Sequence, residues 1–281
     1  MSRPFTFMHD ALYRRTGLTI KEAAMAAVIF ALVLLLVDMG ADSLNYNWQW
    51  YRVWKYIYTF EDGVFTPGLL LQGLWITLQI TAISLVLAFL FGLTTAMLRL
   101  SDSFVGKAIA RCYLESIRNT PLLIQIFFIY FVLGQVLDID RFTAAVLALS
   151  LFEGAYASEV FRSGIASIDK GQWQAAHSLG LSTWHTYRYV VLPQAIRRIL
   201  PPLASQAVAL VKDSALVSTI AVLELTQQAQ IIIAETFLTF EIWFVVAGIY
   251  LVVTITLSRL VALLEKRMGR GQAMYTEQGV E

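Results

Sequence analysis

Carboxyl and phenol groups recur at i, i+3 and i+6 in one apolar stretch of the chain, as Glu153, Tyr156 and Glu159. On a helix this spacing puts them on approximately one face. Two acids and a hydroxyl there suit two tasks: lining a path for a solute that carries an amino group, or pairing with Lys212 or Arg118 to fix helix packing. Both readings stay open. A second cluster, Lys212, Asp213 and Ser214, falls in another apolar stretch. Adjacent helical residues point about 100° apart, so Lys212 and Asp213 are expected to meet other helices rather than each other, for structural or gating use. Gln125 follows Pro121 by one turn and joins the candidate path. Arg118, Asn119, Thr120 and Pro121 precede it and join the gating or structural set. Pro121 is expected to kink its helix, with Thr120 satisfying a freed backbone group.

Other chemistries find no foothold. An intramembrane enzyme needs a nucleophile and base on a shared face, and Ser214 and Lys212 lie two residues apart. No catalytic residue is assigned. His9, His177 and His185 have no carboxylate or thiol at ligand spacing, so no metal site is expected. The pattern G-x-x-x-x-G-K-[ST] is absent, so any nucleotide chemistry must come from another subunit. A single cysteine, Cys112, excludes disulfide frameworks, and a net charge of +1 excludes a nucleic-acid footprint.

Acids and lysines in apolar runs imply elements that hold them in lipid. Of the 281 residues 58% are hydrophobic and 15% charged, against roughly 45–50% and 25% in soluble domains. The mean hydropathy is +0.64. A bilayer core takes about 20 helical residues, and six runs near that length occur, at 23–39, 68–98, 109–137, 142–161, 200–223 and 242–264. The fold expected is all-α, a polytopic bundle of about six transmembrane helices. The run at 23–39 follows a lead of about twenty residues with no long apolar stretch and is expected to be an uncleaved anchor rather than a signal peptide.

Basic residues orient the bundle. Arg3, Arg14, Arg15 and Lys21 precede the first run; Arg99, Lys107, Arg111 and Arg118 follow the second; Arg162, Lys170, Arg188, Arg197 and Arg198 follow the fourth; Arg259, Lys266, Arg267 and Arg270 close the chain. Both termini are therefore expected in the cytoplasm. The segments read as a cytoplasmic lead at 1–22, an N-terminal helix at 23–39, an outer aromatic-rich loop at 40–67, a transmembrane domain at 68–267 and a cytoplasmic tail at 268–281. Trp48, Trp50, Tyr51, Trp54, Tyr56 and Tyr58 crowd the outer loop, as side chains at the headgroup level do.

The loop at 171–193 carries Trp173, Ala176 and Leu179 on one helical face, with Gly180 placed to end the helix by a sharp turn. Such a helix suits either a groove on a partner or the lipid surface. Pro193, Pro201 and Pro202 are expected to punctuate the return to the membrane.

Gln174-Ala175-Ala176, Gly180 four residues on, then Leu192-Pro193 resembles the EAA loop of ATP-binding-cassette importer permeases, where Glu-Ala-Ala, three residues and Gly precede a hydrophobic–Pro pair. The resemblance runs from about residue 69 to 267. It takes in Arg118-Asn119-Thr120-Pro121-Leu122-Leu123, Gly154-Ala155-Tyr156 with Glu159 and Phe161-Arg162, Lys170-Gly171-Gln172-Trp173, and Leu210-Val211-Lys212-Asp213-Ser214-Ala215-Leu216. Together these are similar to the polar amino-acid branch, the histidine/glutamine-type permeases. The resemblance implies a five-helix core with one added N-terminal helix, in the bacterial inner membrane. It implies a coupling helix that docks on a cytoplasmic ATPase dimer through Trp173, Gln174, Ala175, Ala176, Gly180, Leu192 and Pro193. It further implies ATP and Mg on that partner and no cofactor on this chain, an external amino-acid-binding protein, and a second permease, either another copy or a sister chain. The family's glutamate is Gln174 here, which keeps length and hydrogen bonding but removes charge. A self-contained secondary transporter or channel using the intramembrane carboxylates is the alternative.

Overall fold

The computed structural model describes residues 46–61 and 63–277, with isolated helical positions between 24 and 40; side chains beyond 263 are described only at Lys266. The segment 1–22, most of the expected helix at 23–39 and the last four residues lie outside the described residues. The chain forms two compact units, Met1–Gln49 and Trp50–Glu281. In the first, Tyr46 and Trp48 pack edge to face with ring centroids 5.1 Å apart. Every apolar crossing helix among the described residues belongs to the second.

The second unit opens on a 3-10 turn (Trp50–Arg52), a short helix α1 (Trp54–Ile57) and a two-stranded antiparallel hairpin, β1 (Tyr58–Glu61) and β2 (Val64–Pro67). Tyr58, Phe60 and Phe65 gather on it with ring centroids 5.6–6.0 Å apart. The chain then enters α2 (Leu69–Leu100), 32 residues long. Its buried positions Thr77, Thr81, Ser84, Ala88, Gly92 and Ala96 recur every three or four residues and are all small. Small side chains let two backbones close up where lipid offers no hydrophobic drive to pack. α6 (Arg141–Ala166) takes that groove, and the two run parallel: Ser84 donates to the Val146 carbonyl at 3.3 Å, and Arg99 meets Glu159 at 2.7 Å fifteen residues on. A Cβ on Gly154 would come within 2.8 Å of the Phe91 Cβ, so this crossing requires glycine.

The expected span at 109–137 is corrected. The chain forms α3 (Phe104–Arg118), turns through 107°, and continues as α4 (Leu122–Phe127), a π turn (Phe128–Leu133) and α5 (Gly134–Leu137). Pro121 starts the second helix rather than kinking one continuous helix. Thr120 donates to the Ser116 carbonyl at 2.8 Å, satisfying a backbone group freed at the end of α3. After α6 comes the short α7 (Lys170–Ser178). Beyond it α8 (Thr183–Thr186), a π turn (Tyr187–Val191), α9 (Leu192–Asp213) and a 3-10 turn (Ser214–Ile220) form one crossing, Thr183–Ile220. The prolines do not interrupt it. Leu192 N–H reaches back five residues to the Tyr187 carbonyl, so the π turn accommodates Pro193, and Pro201 and Pro202 lie inside α9. α10 (Leu225–Thr236) is short and buried on one side, and α11 (Thr239–Glu277) makes the last crossing through Leu263.

Among the described residues four helices are long and apolar enough to cross a membrane, and five crossings result when the bent pair counts as one. The core has three parts: one centred on Ile126, Leu149 and Leu210, one on Leu70, Leu225 and Ile242, and one on Phe161, Val191 and Ile199 that reaches Trp173.

Candidate functional site

α7 projects at one end of the bundle and is built for a fixed attitude. Asp169 caps its start, accepting from Gly171 N–H at 2.6 Å. Its end is a Schellman turn: Leu181 N–H donates to the Ala176 carbonyl at 3.1 Å and Gly180 N–H to that of His177 at 2.9 Å, with Gly180 at φ +74°. Trp173 stacks edge-on against Tyr187 at 5.1 Å, and Ala176 is buried. These two residues, expected among the docking contacts, therefore anchor α7 to its own bundle, because i and i+3 share the face turned inward. The outward face carries Gln174, Ala175 and Gly180, with Leu179 80% exposed and Trp184 67% beside it. Leu192 and Pro193 are exposed in the first turn of α9.

Glu153, Tyr156 and Glu159 do not share one site. Each step of three residues falls 60° short of a full turn, so Glu153 and Glu159 end 120° apart. Glu153 is buried and lines a 410 Å³ cavity between α2, α6, α9 and α11, otherwise walled by residues such as Phe89, Leu203 and Leu257. Its Oε1 and that of Gln206 in the same wall are buried with no hydrogen-bond partner. Tyr156 and Glu159 line a separate 650 Å³ cavity, with Arg99, Lys107, Arg111 and Arg118. There Glu159 is held by Arg99 at 2.7 Å and by Arg118 and Arg162 at 3.1 Å each, so the pairing reading describes this carboxylate. Arg118 also lies 6.0 Å from the centre of the Tyr156 ring.

Gln125 acts across the 107° turn. It is buried, and its Nε2 donates to the Ile117 and Thr120 carbonyls at 2.8 Å, tying the end of α3 to the start of α4. Asn119 Nδ2 donates to Glu115 Oε2 at 3.0 Å. Lys212 and Asp213 make no ion pair with another helix among the described residues; Lys212 is exposed, while Asp213 lies close enough to Glu153 of α6 for the two carboxyls to act on each other. Ser214 is buried and donates to the Val211 carbonyl at 2.7 Å where α9 tightens into the 3-10 turn.

Several buried polar groups escape a reading of the sequence, Glu241 and Gln228 among them. Gln206 is another; an amide within the fifth apolar run is the available signal. Glu224 is a further one, fully buried at the start of α10. Its carboxylate accepts from Thr226 and Gln227 N–H at 2.9 and 2.8 Å and from Tyr250 Oη at 3.1 Å. A carboxylate before an amphipathic stretch is a helix-start signal, hidden here at the edge of the 200–223 run.

Comparison with known proteins fits this architecture. Residues 88–270 match the family described as binding-protein-dependent transport system inner membrane component. The chain belongs to that family. Among its relatives is the glutamine transport system permease protein GlnP of Escherichia coli (strain K12), 40% identical over 225 residues, covering 79% of this chain and 98% of the relative. A probable glutamine ABC transporter permease protein of Bacillus subtilis (strain 168) is 42% identical over 200 residues, 70% of this chain and 92% of the relative. A solved amino acid ABC transporter, crystallised with histidines, superposes with a TM-score of 0.68 at 42% identity over 71% of this chain and 94% of its own. The inward-facing MetNI methionine ABC transporter superposes with a TM-score of 0.63 at 16% identity, covering 71% and 96%, and speaks for the fold alone. The permease is thus a multi-pass subunit of the inner membrane, in a family whose members are not themselves enzymes and work beside an ATPase and a substrate-binding protein.

Proposed function

We propose that the permease forms the membrane pathway of an importer that carries a polar amino acid of the glutamine class inward, driven by a cytoplasmic ATPase dimer that holds the ATP and Mg. A binding protein delivers the solute at the hairpin end. The α7 end faces the cytoplasm, as do both termini; the gathering of Arg99, Lys107, Arg111, Arg118, Arg162 and Lys170 there supports this under the positive-inside rule. A second permease, a copy or a sister chain, completes the pathway and covers Lys212 and Asp213, whose charge at membrane depth calls for a polar surface.

The observation that carries the reading is the build of α7. Its inner face is locked by Trp173 and Ala176, while Gln174, Ala175, Leu179 and Gly180 face outward on a rigid cap. A movement of the ATPase reaches the bundle as a push on one stiff element, which is what rocking between inward- and outward-open states requires. Gln174 offers hydrogen bonds in place of charge, so the docking surface relies on shape. The solute passes the cavity of Glu153 and Gln206, whose unpartnered oxygens accept from its ammonium group; Tyr156 lines the separate basic cavity and Gln125 ties the turn between α3 and α4, so both support the path from outside it.

Radiolabelled glutamine uptake into proteoliposomes holding the permease, its ATPase and the binding protein tests this. Uptake should require ATP. Gly180→Val should lower it at least tenfold with the permease still folded, since a non-glycine residue at φ +74° costs roughly 1–2 kcal/mol and displaces the cap. Uptake by the lone chain down an ion gradient without ATP would instead support the secondary-transporter reading.

A further inference from the structure

The 650 Å³ cavity beside Glu159 holds more positive charge than its carboxylates use. Arg99, Lys107, Arg111 and Arg118 face it against Glu115 and Glu159. Glu159 is already held by three guanidinium groups and Glu115 accepts from Asn119. The side chains of Lys107 and Arg111 have no hydrogen bond or ion pair among the described residues, and both residues are exposed. The cationic face is a consequence of spacing: positions 107, 111 and 118 fall within about 40° of one another around α3.

The site's level in the membrane is set by its walls. Arg99 belongs to the last turn of the crossing helix α2, and Arg118 ends α3 just before α4 begins its own crossing. α3 buries Gly106, Ala110 and Leu114 against the bundle and leaves Val105 and Ile109 64% and 58% exposed. An exposed apolar face on a helix with a basic face is the composition of a helix lying in the membrane interface. The cavity therefore opens where phospholipid phosphates lie.

We propose that this cavity binds the phosphate group of an anionic phospholipid, seated between Lys107 and Arg111 of α3 and Arg99 of α2. The headgroup neutralises the two uncommitted cations and holds α3 against the ends of α2 and α6. The inference rests on the membrane placement of the chain and not on its solute.

The test uses the full-length permease with its ATPase, extracted from nanodiscs of mixed phosphatidylglycerol and phosphatidylcholine and weighed by native mass spectrometry. Phosphatidylglycerol should be retained in preference to phosphatidylcholine, at one molecule per permease. Lys107→Gln combined with Arg111→Gln should lower that retention about thirtyfold, taking the usual contribution of a cation near an anionic surface for each. Arg188→Gln combined with Arg197→Gln, removing two exposed cations elsewhere, should leave it unchanged. Equal retention of the two lipids, or a Lys107/Arg111 variant that holds phosphatidylglycerol as the parent does, would overturn the proposal. Titration with inorganic phosphate separates the sources: displacement of bound phosphatidylglycerol by millimolar phosphate supports a shared phosphate site, whereas phosphate binding without lipid retention overturns the lipid assignment.

Discussion

Glu153 and Glu159 stand six residues apart on one helix and meet opposite surroundings. Glu153 is 5% exposed in an apolar cavity, where no described cation pairs with it and the Asp213 carboxyl acts on it, while Glu159 sits among Arg99, Arg118 and Arg162. The same side chain thus lacks a cation on one flank of α6 and is bound up in the scaffold on the other. The difference is made by what α2, α3 and α9 bring against each flank. An acid without a cation at membrane depth is costly; one held by three guanidinium groups already has its partners.

The contrast depends on the α2–α6 crossing, which keeps the two flanks apart, so breaking that crossing should have the largest effect. Gly154→Val forces a side chain against Phe91 and should cost about 3 kcal/mol by overpacking, seen as a lower midpoint in thermal melts followed by size exclusion. The next effect separates the flanks. Glu159→Gln should lower stability by about 1–2 kcal/mol, because three cations lose their counter-charge in a partly exposed site. Glu153→Gln removes a buried carboxyl that has no cation partner, so it should leave the melt unchanged or raise it, yet raise the KM for glutamine uptake roughly tenfold, by about 1.4 kcal/mol. Equal melting losses in the two variants would erase the distinction.

The smallest effect concerns the far end of α6, outside the spans. Asp140 accepts from the Thr143 hydroxyl at 2.6 Å and from the Thr143 and Phe142 amides, and these bonds hold its carboxyl below the ordinary range. A depressed native value means that the cap stabilises the fold above the ordinary carboxylate pKa and is lost as pH falls through the native one. Asp140→Ala should therefore cost about 1 kcal/mol at pH 7. Its gap from the parent protein should narrow when melts are repeated below about pH 4.

Much of this is legible without coordinates, and the misses share a cause. α2, α6 and α11 match their apolar runs closely, since burial in lipid is a property of each segment alone. Gly180 announces the end of α7 because a left-handed residue is a local requirement. The break at 118–122 reads as a kink in the sequence because Pro121 marks a discontinuity but carries no angle; Gln125, bonding back to Ile117 and Thr120, holds the turn. Trp173 and Ala176 read as partner contacts because periodicity groups residues on a face without saying which way that face points.

The amino-acid order by itself determined that this chain crosses a membrane several times, that it carries a capped loop helix between two crossings, and that it contains no nucleotide-binding loop of the P-loop kind. Each of these is written in runs of neighbouring residues, where hydropathy and backbone freedom act. Only the tertiary structure decided that Glu153 meets no cation among the described residues while Glu159 meets three, that the cations of α3 converge with Arg99 on one cavity, and that Glu224 is buried where α10 meets α2. Those outcomes depend on helices distant in sequence, whose approach is set by small residues such as Gly92 and Gly154 and by the Coulomb energy of groups that no local pattern brings together.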